Sequence, residues 1–282
     1  MLGVSAGRLA EQLISATKSE MIFSTKRRTA MLRSIKFLSD YDIHAKDGDI
    51  GAVKEFLFDK DSWVTRYLVV DTGNWLSGRK VLISPMSIGK PNPDEKKLPL
   101  SLTRDQIKRS PVFDMDRPIS HKYLGDLYKH YGWSQHPVSC GCSSVHPSRP
   151  SSMEAERGRT AVLEAEDEQE SALNLLNTKQ VMDYSIHAID GDIGHVEDFI
   201  VDDEGWIIRY MAVDTSKWLP GSKKVLISPS WIKTINGEKK MVSLDITKES
   251  LKNSPPYDPS ASINREYEAK FYDYYGRKKY WE

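Results

Sequence analysis

Four side chains of metal-ligand type form the densest cluster of reactive groups in the sequence. His136, Cys140, Cys142 and His146 follow the spacing His-x3-Cys-x-Cys-x3-His. Structural zinc sites use these residue types, but their cysteines are usually separated by two to four residues. The surrounding residues 134–150 are rich in Pro, Ser and His, so we expect no packed shell that would orient the ligands. We therefore predict no metal site here.

Two histidines occur in the same motif, Ile-His-Ala, shortly before an Asp-Gly-Asp turn. His44 precedes residues 47–49, and His187 precedes residues 190–192. A histidine beside carboxylates could titrate near neutral pH. The simpler interpretation is a ring that hydrogen-bonds a turn carboxylate and orders the loop. The acids lack the spacing of a calcium-binding loop. We expect a structural polar network at both histidines.

Two arginines lie inside strongly apolar segments that are typical of strands. Arg66 and Arg209 are each followed five residues later by an aspartate, Asp71 and Asp214 respectively. A partly buried guanidinium needs a carboxylate or carbonyl partner. We predict structural ion pairs or backbone contacts here rather than an anion-binding site.

Four tryptophans recur at equivalent positions and are the candidate contacts for a protein partner. Trp75 and Trp218 lie in Trp-Leu-x-Gly segments typical of loop tips, and Trp63 and Trp206 precede apolar runs. A loop tryptophan can anchor an interface. The alternative is that these side chains cap the open end of a small barrel.

The sequence contains no nucleophile elbow, phosphate loop, dinucleotide fingerprint or His-Glu-x-x-His motif. We therefore expect a protein that is not an enzyme and that has no cofactor.

His44, Arg66, Trp75 and their equivalents belong to a repeat. Asp40–Gly78 and Asp183–Gly221 align without a gap and are identical at 22 of 39 positions. A repeat of about 100 residues has the length of a small domain. We predict an uncertain leader (1–30), a first domain (31–133), a flexible polar and acidic linker (134–177) and a second domain (178–282). We call the two domains the first and second copy, and expect them to fold independently.

Strand signals dominate each copy. In the first copy, apolar and β-branched runs predict strands at 50–58, 63–71, 80–84 and 98–102. Two short helices follow, the first opened by a capping box at Thr103 and the second by Ser120. Thr247 and Asn264 open their counterparts in the second copy.

Composition limits the functional classes. Lys plus Arg and Asp plus Glu each total 40, so the charge balance does not favour direct nucleic-acid binding. The only two cysteines, Cys140 and Cys142, are separated by one residue and lie outside the copies. This usage favours a reducing, cytoplasmic setting. No apolar run approaches the roughly 20 residues of a membrane span.

Both copies carry Asp-Gly-x-Ile-Gly-x-Val, Trp-x-x-Arg-Tyr, Val-Asp-Thr, Trp-Leu-x-Gly and Lys-Val-Leu-Ile-Ser-Pro. In these motifs the chain resembles the PRC-barrel family, named for the cytoplasmic domain of the photosynthetic reaction-centre H subunit. A similar module forms the C-terminal domain of the ribosome maturation factor. The chain looks like the bacterial proteins that carry two such modules. The resemblance implies a mainly β fold of two tandem small PRC-type β-barrels, each followed by short α-helices.

The resemblance also implies a binding role rather than a reaction. The leading hypothesis is a non-catalytic, cytoplasmic adaptor that presents two related surfaces to a protein partner. One alternative is a peripheral accessory of a photosynthetic or electron-transport complex at the inner membrane. The other alternative is a ribosome-assembly or RNA-processing factor.

Overall fold

Most of the regular structure consists of strands in two mixed sheets. The computed structural model describes residues 31–39, 41–115, 117–133, 174–216 and 223–282. The strands are β1 (Leu32–Ser34), β2 (Asp42–Ala45), β3 (Gly48–Asp59), β4 (Thr65–Asp71), β5 (Lys80–Ile83), β6 (Lys97–Pro99), β7 (Leu175–Asn177), β8 (Ser185–Ala188), β9 (Gly191–Asp202), β10 (Ile208–Asp214), β11 (Lys224–Ile227), β12 (Ile232–Asn236) and β13 (Met241–Leu244).

The two sheets have closely related strand orders. One sheet follows the order β5-β4-β3-β2-β6, and the other follows β11-β10-β9-β8-β13-β12. Neighbouring strands are antiparallel except for the pairs β2–β6 and β8–β13. The first and last strands of each order do not pair with one another within the described residues. The β-rich fold is thus confirmed, whereas barrel closure stays a prediction.

The helices are short and begin and end where their capping residues indicate. They are α1 (Ile35–Leu38), α2 (Arg104–Lys108), α3 (His121–Tyr131), α4 (Thr178–Val181), α5 (Lys248–Asn253) and α6 (Arg265–Tyr275), with 3-10 turns at Gly73–Leu76, Pro85–Ser87 and Pro229–Trp231. The predicted N-caps all accept a backbone hydrogen bond from the third helical residue: Thr103, Ser120, Thr247 and Asn264. Gly132 and Gly276 adopt the left-handed conformation that ends α3 and α6.

One glycine in each sheet allows two neighbouring strands to approach closely. A Cβ atom at Gly51 would lie 1.9 Å from the carbonyl oxygen of Asp71, and one at Gly194 would lie 2.1 Å from that of Asp214. Both glycines also have a φ of +138° or +158°, which other residues rarely adopt. The repeated Ile-Gly therefore sets how tightly β3 crosses β4 and β9 crosses β10.

The copies exchange their N-terminal arms. We define the first arm as β1 and α1, and the second arm as β7 and α4. The first arm pairs with β9 of the second copy, where Ser34 lies opposite Ile200. The second arm pairs with β3 of the first copy, where Asn177 lies opposite Leu57. Each sheet is therefore extended by a strand from the other copy. Because Leu175–Asn177 is a strand, the linker prediction is corrected for these residues.

A buried carboxylate holds each arm at equivalent positions. In the second copy, Asp198 accepts hydrogen bonds from the hydroxyl of Ser34 and from the backbone N–H of Lys36 at 3.1 Å. In the first copy, Glu55 accepts a hydrogen bond from the amide of Asn177. Asp198 is only 7% exposed, and burial raises the pKa of its carboxyl although these hydrogen bonds oppose the shift. The same residues that cap α1 and α4 thus attach the arms.

The two copies contact each other at the starts of β4 and β10, where an approximate twofold relates one copy to the other. The N–H of Thr65 donates to the carbonyl of Trp206 and the N–H of Ile208 donates to that of Trp63, both at 2.8 Å. The Trp206 ring stacks on Phe56 of the other copy, with ring centroids 6.4 Å apart. One continuous core therefore includes apolar residues of both copies. This arrangement argues against the expectation that the copies fold independently.

The glycine contacts give the first prediction. Gly51→Ala should lower the free energy of unfolding by more than about 3 kcal/mol, because the added methyl group collides with backbone and φ is positive. Gly125→Ala is the control: a Cβ there has nothing within 4 Å, and the residue lies within α3. That change should raise stability by about 1 kcal/mol. Urea unfolding measures both, and equal effects would contradict the close approach.

The arm exchange gives the second prediction. A specific protease site placed within residues 134–173 and then cut should leave two fragments that stay together. Each fragment would carry an arm inserted in the sheet of the other, so separation breaks backbone pairing and exposes core. Native mass spectrometry of the cut chain should show the mass of both fragments together. Two separately folded species would instead show that the copies are independent domains.

Candidate binding surface

The first copy carries an exposed polar surface around Trp75. This tryptophan lies in the 3-10 turn Gly73–Leu76, whose start is fixed by Asp71: its carboxylate accepts the N–H of Gly73 at 2.9 Å. Trp75 is half-buried, with part of its ring packed against the core. The guanidinium carbon of Arg104 lies 4.6 Å from the centroid of the ring. Trp75 therefore forms a cation–π contact with a positive side chain.

Arg104 is held in place by its backbone as well as by this ring. It is the first residue of α2, and its N–H donates to the carboxylate of Asp47 at 2.7 Å. Thr103 and Gln106 complete the predicted capping box at the same helix start. The Asp-Gly-Asp turn thus connects β2 and β3 to the helix that carries Arg104.

The predicted histidine contact is present in both copies. The Nδ1 atom of His44 lies 2.6 Å from a carboxylate oxygen of Asp49, and that of His187 lies 2.8 Å from Asp192. Both pairs are exposed. The hydrogen bond with His44 holds the pKa of Asp49 below its ordinary value. We call the group of Trp75, Arg104, Asp47, His44 and Asp49 the Trp75 surface.

The second copy repeats this scaffold with a different cation. Asp190 accepts the N–H of Lys248, the first residue of α5, at 2.8 Å. Lys248 therefore stands where the first copy has Arg104. A lysine offers a point charge, whereas the planar guanidinium of arginine can bind a carboxylate through two hydrogen bonds. Trp218 lies outside the described residues, as do His136, Cys140, Cys142 and His146.

Trp63 and Trp206 lie at the junction of the copies rather than on an outer surface. Their exposures are 9% and 6%. Both have a positive φ, 59° and 54°, and lie just before β4 or β10. Trp63 stacks on Phe58 with centroids 5.2 Å apart. Burial at this junction does not fit the prediction that these two residues contact an external partner.

The two predicted arginines lie in different surroundings. Arg66 is exposed, and so it is not a partly buried side chain. Arg209 does form an ion pair, but with Asp202 at 2.7 Å and not with Asp214. Asp214 instead accepts the N–H of Ser216 at 2.8 Å, as Asp71 accepts that of Gly73. These two aspartates order the turns that follow β4 and β10.

One polar cluster was missed by the sequence analysis. Glu268 in α6 is 3% exposed and lies among Tyr210, Arg265 and Tyr280. The sequence contains a signal for this cluster, because Glu268 aligns with Leu124 of the first copy in otherwise similar helices. An acid at an apolar position of a repeat indicates a local polar contact.

No group of three or more His, Cys, Asp or Glu side chains within the described residues is arranged to hold a metal ion. Within the same residues, no helix has both the length and the apolar character needed to cross a membrane.

The two arginines give the third prediction. Arg209→Ala should cost about 2 kcal/mol of stability, because Asp202 is 2% exposed and would lose its charged partner. Arg66→Ala is the matched control at the equivalent position and should change stability by less than about 0.5 kcal/mol. Chemical unfolding followed by circular dichroism measures both. Equal losses would contradict the different surroundings of the two side chains.

Comparison with known proteins identifies part of the chain. Residues 169–251 match the PRC-barrel domain family. This segment covers the second arm and the second copy from β8 through most of α5. No curated protein matches the chain. The match supports the family resemblance for the second copy.

Proposed function

We propose that the protein is a non-catalytic, cytoplasmic adaptor built from two tandem PRC-type barrels that binds a protein partner. Two findings support the proposal: the family match over residues 169–251 of the second copy, and the 22 identities in 39 aligned positions that make the first copy similar to it. The arm exchange makes the two copies one scaffold. The Trp75 surface and its counterpart at His187, Asp192 and Lys248 are the proposed partner contacts.

The contact between Arg104 and the half-buried Trp75 ring is the observation on which this proposal rests. Arg104 lies across a half-buried aromatic ring, which limits its conformations and lowers the entropy cost of binding. A preoriented guanidinium beside a tryptophan favours a partner with a carboxylate at the contact.

The fourth prediction tests this surface. Trp75→Ala and Arg104→Glu should each weaken binding of the partner by about 2 kcal/mol, or roughly 30-fold, because they remove the ring or reverse the charge. Lys108→Glu is the control, since it makes the same charge change on the exposed side of α2.

The measurement starts with tagged full-length protein used as bait in the native cell. The captured protein is purified, and its dissociation constant is then measured for each variant. Equal weakening by Lys108→Glu would show a general charge effect. A large fall in the melting temperature of Trp75→Ala would show that this side chain is a structural cap.

A further inference from the structure

Glu268 is a buried carboxylate that holds the end of the chain. One of its oxygens accepts the hydroxyl of Tyr210 at 2.7 Å and the hydroxyl of Tyr280 at 2.9 Å. The other oxygen lies 3.0 Å from Nη1 of Arg265. A buried carboxylate is costly unless donors of this kind surround it. Tyr280 therefore supplies part of what Glu268 requires.

The first copy shows that the fold does not need this acid. Leu124 occupies the equivalent position of α3 and is 7% exposed. In that copy the hydroxyl of Tyr67, which aligns with Tyr210, donates to Tyr128 at 3.2 Å instead. An acid at this helix position therefore occurs in the second copy alone of the two, where it contacts Tyr280.

The chain end is attached by side chains. We define the tail as Lys278–Glu282. The Tyr280 ring lies 4.3 Å from the guanidinium carbon of Arg209, and the Trp281 ring lies 4.1 Å from that of Arg265. Trp281 also contacts Tyr272, with ring centroids 5.5 Å apart.

The backbone of the tail adds little to this attachment. Within the described residues, its backbone hydrogen bond is local and runs from the N–H of Glu282 to the carbonyl of Lys279. Tyr280 remains 37% exposed. A segment held only by side chains opens more easily than a paired strand.

We propose that the surface formed by Arg209, Arg265, Glu268 and Tyr272 is a peptide-binding site, and that the tail occupies it as a built-in competitor. The ligand class is a partner segment with a tyrosine followed by a bulky aromatic residue. The tyrosine hydroxyl donates to Glu268, and the two rings lie against the two guanidinium groups. This site is separate from the Trp75 surface and does not depend on it.

The experiment keeps the full chain and opens the site by substitution. The probe is a fluorescent peptide of residues 276–282, Gly-Arg-Lys-Lys-Tyr-Trp-Glu. The chain with Tyr280→Ala and Trp281→Ala should bind the probe saturably in fluorescence anisotropy. Wild type should bind it at least about tenfold more weakly, since a tethered tail competes at high effective concentration.

Two changes test the chemistry of the contact. Adding Glu268→Leu to the opened chain should weaken binding by about tenfold or more, because the charged acceptor of the hydroxyl is lost. Leucine at the equivalent position of the first copy shows that the helix accepts this residue. A probe with Phe in place of Tyr should lose a similar factor. Lys270→Ala changes an exposed residue of α6 and should leave binding unchanged.

The proposal is overturned if the opened chain melts cooperatively yet binds no probe, or if Glu268→Leu has no effect on binding. A second measurement uses wild type, in case the opened chain does not fold. Limited trypsin digestion should cut wild type after Lys278 or Lys279 under native conditions while the melting temperature is retained. Resistance to cleavage would show that the tail is a permanent part of the core.

Discussion

The reciprocal pairing between the two copies is the contact on which the rest of the structure depends. Three backbone links join the copies: each arm strand pairs with the long strand of the other copy, and Val64 pairs with Ile207 just before β4 and β10. The buried carboxylates of Glu55 and Asp198 both accept hydrogen bonds from an arm. Without its arm, Asp198 would keep the N–H of Phe199 but would lose the donors Ser34 and Lys36 in a largely apolar region.

An approximate twofold does not make the copies chemically equal. Arg104 is replaced by Lys248, and Leu124 is replaced by Glu268. The tryptophan that packs on the last aromatic residue of the long helix also comes from different places in the two copies. In the first copy, Trp133 stacks on Tyr131 and donates a hydrogen bond to Ser87. In the second copy, Trp231 occupies the position of Ser87 and packs on the equivalent Tyr275. The duplicated scaffold thus keeps its packing while its surfaces differ.

Local patterns predicted the strands, the helix caps and the His–Asp pairs, because each depends on residues close in sequence. The arm exchange depends on pairing between residues that are more than 100 positions apart, for which a periodic pattern carries no signal. The sequence predicts an ion pair or a backbone contact for Arg209 but does not identify the partner, because residues five apart on a strand, such as Arg209 and Asp214, point to opposite faces. Asp202 lies across the hairpin from Arg209, on the neighbouring strand β9. The burial of Trp63 and Trp206 at the junction depends on contacts between the copies, which the residue types alone do not indicate.

The exchange also changes how two binding surfaces would act together. In two domains joined only by a flexible linker, the linker length sets the effective concentration of the second site. Here the copies share strands and one core, so the residues 134–173 no longer determine how far apart the surfaces lie. A partner with two matching sites would meet two surfaces held at a set spacing, and would lose less entropy on binding than with mobile domains. The difference between Arg104 and Lys248 would then orient such a partner, because only one surface offers a planar guanidinium.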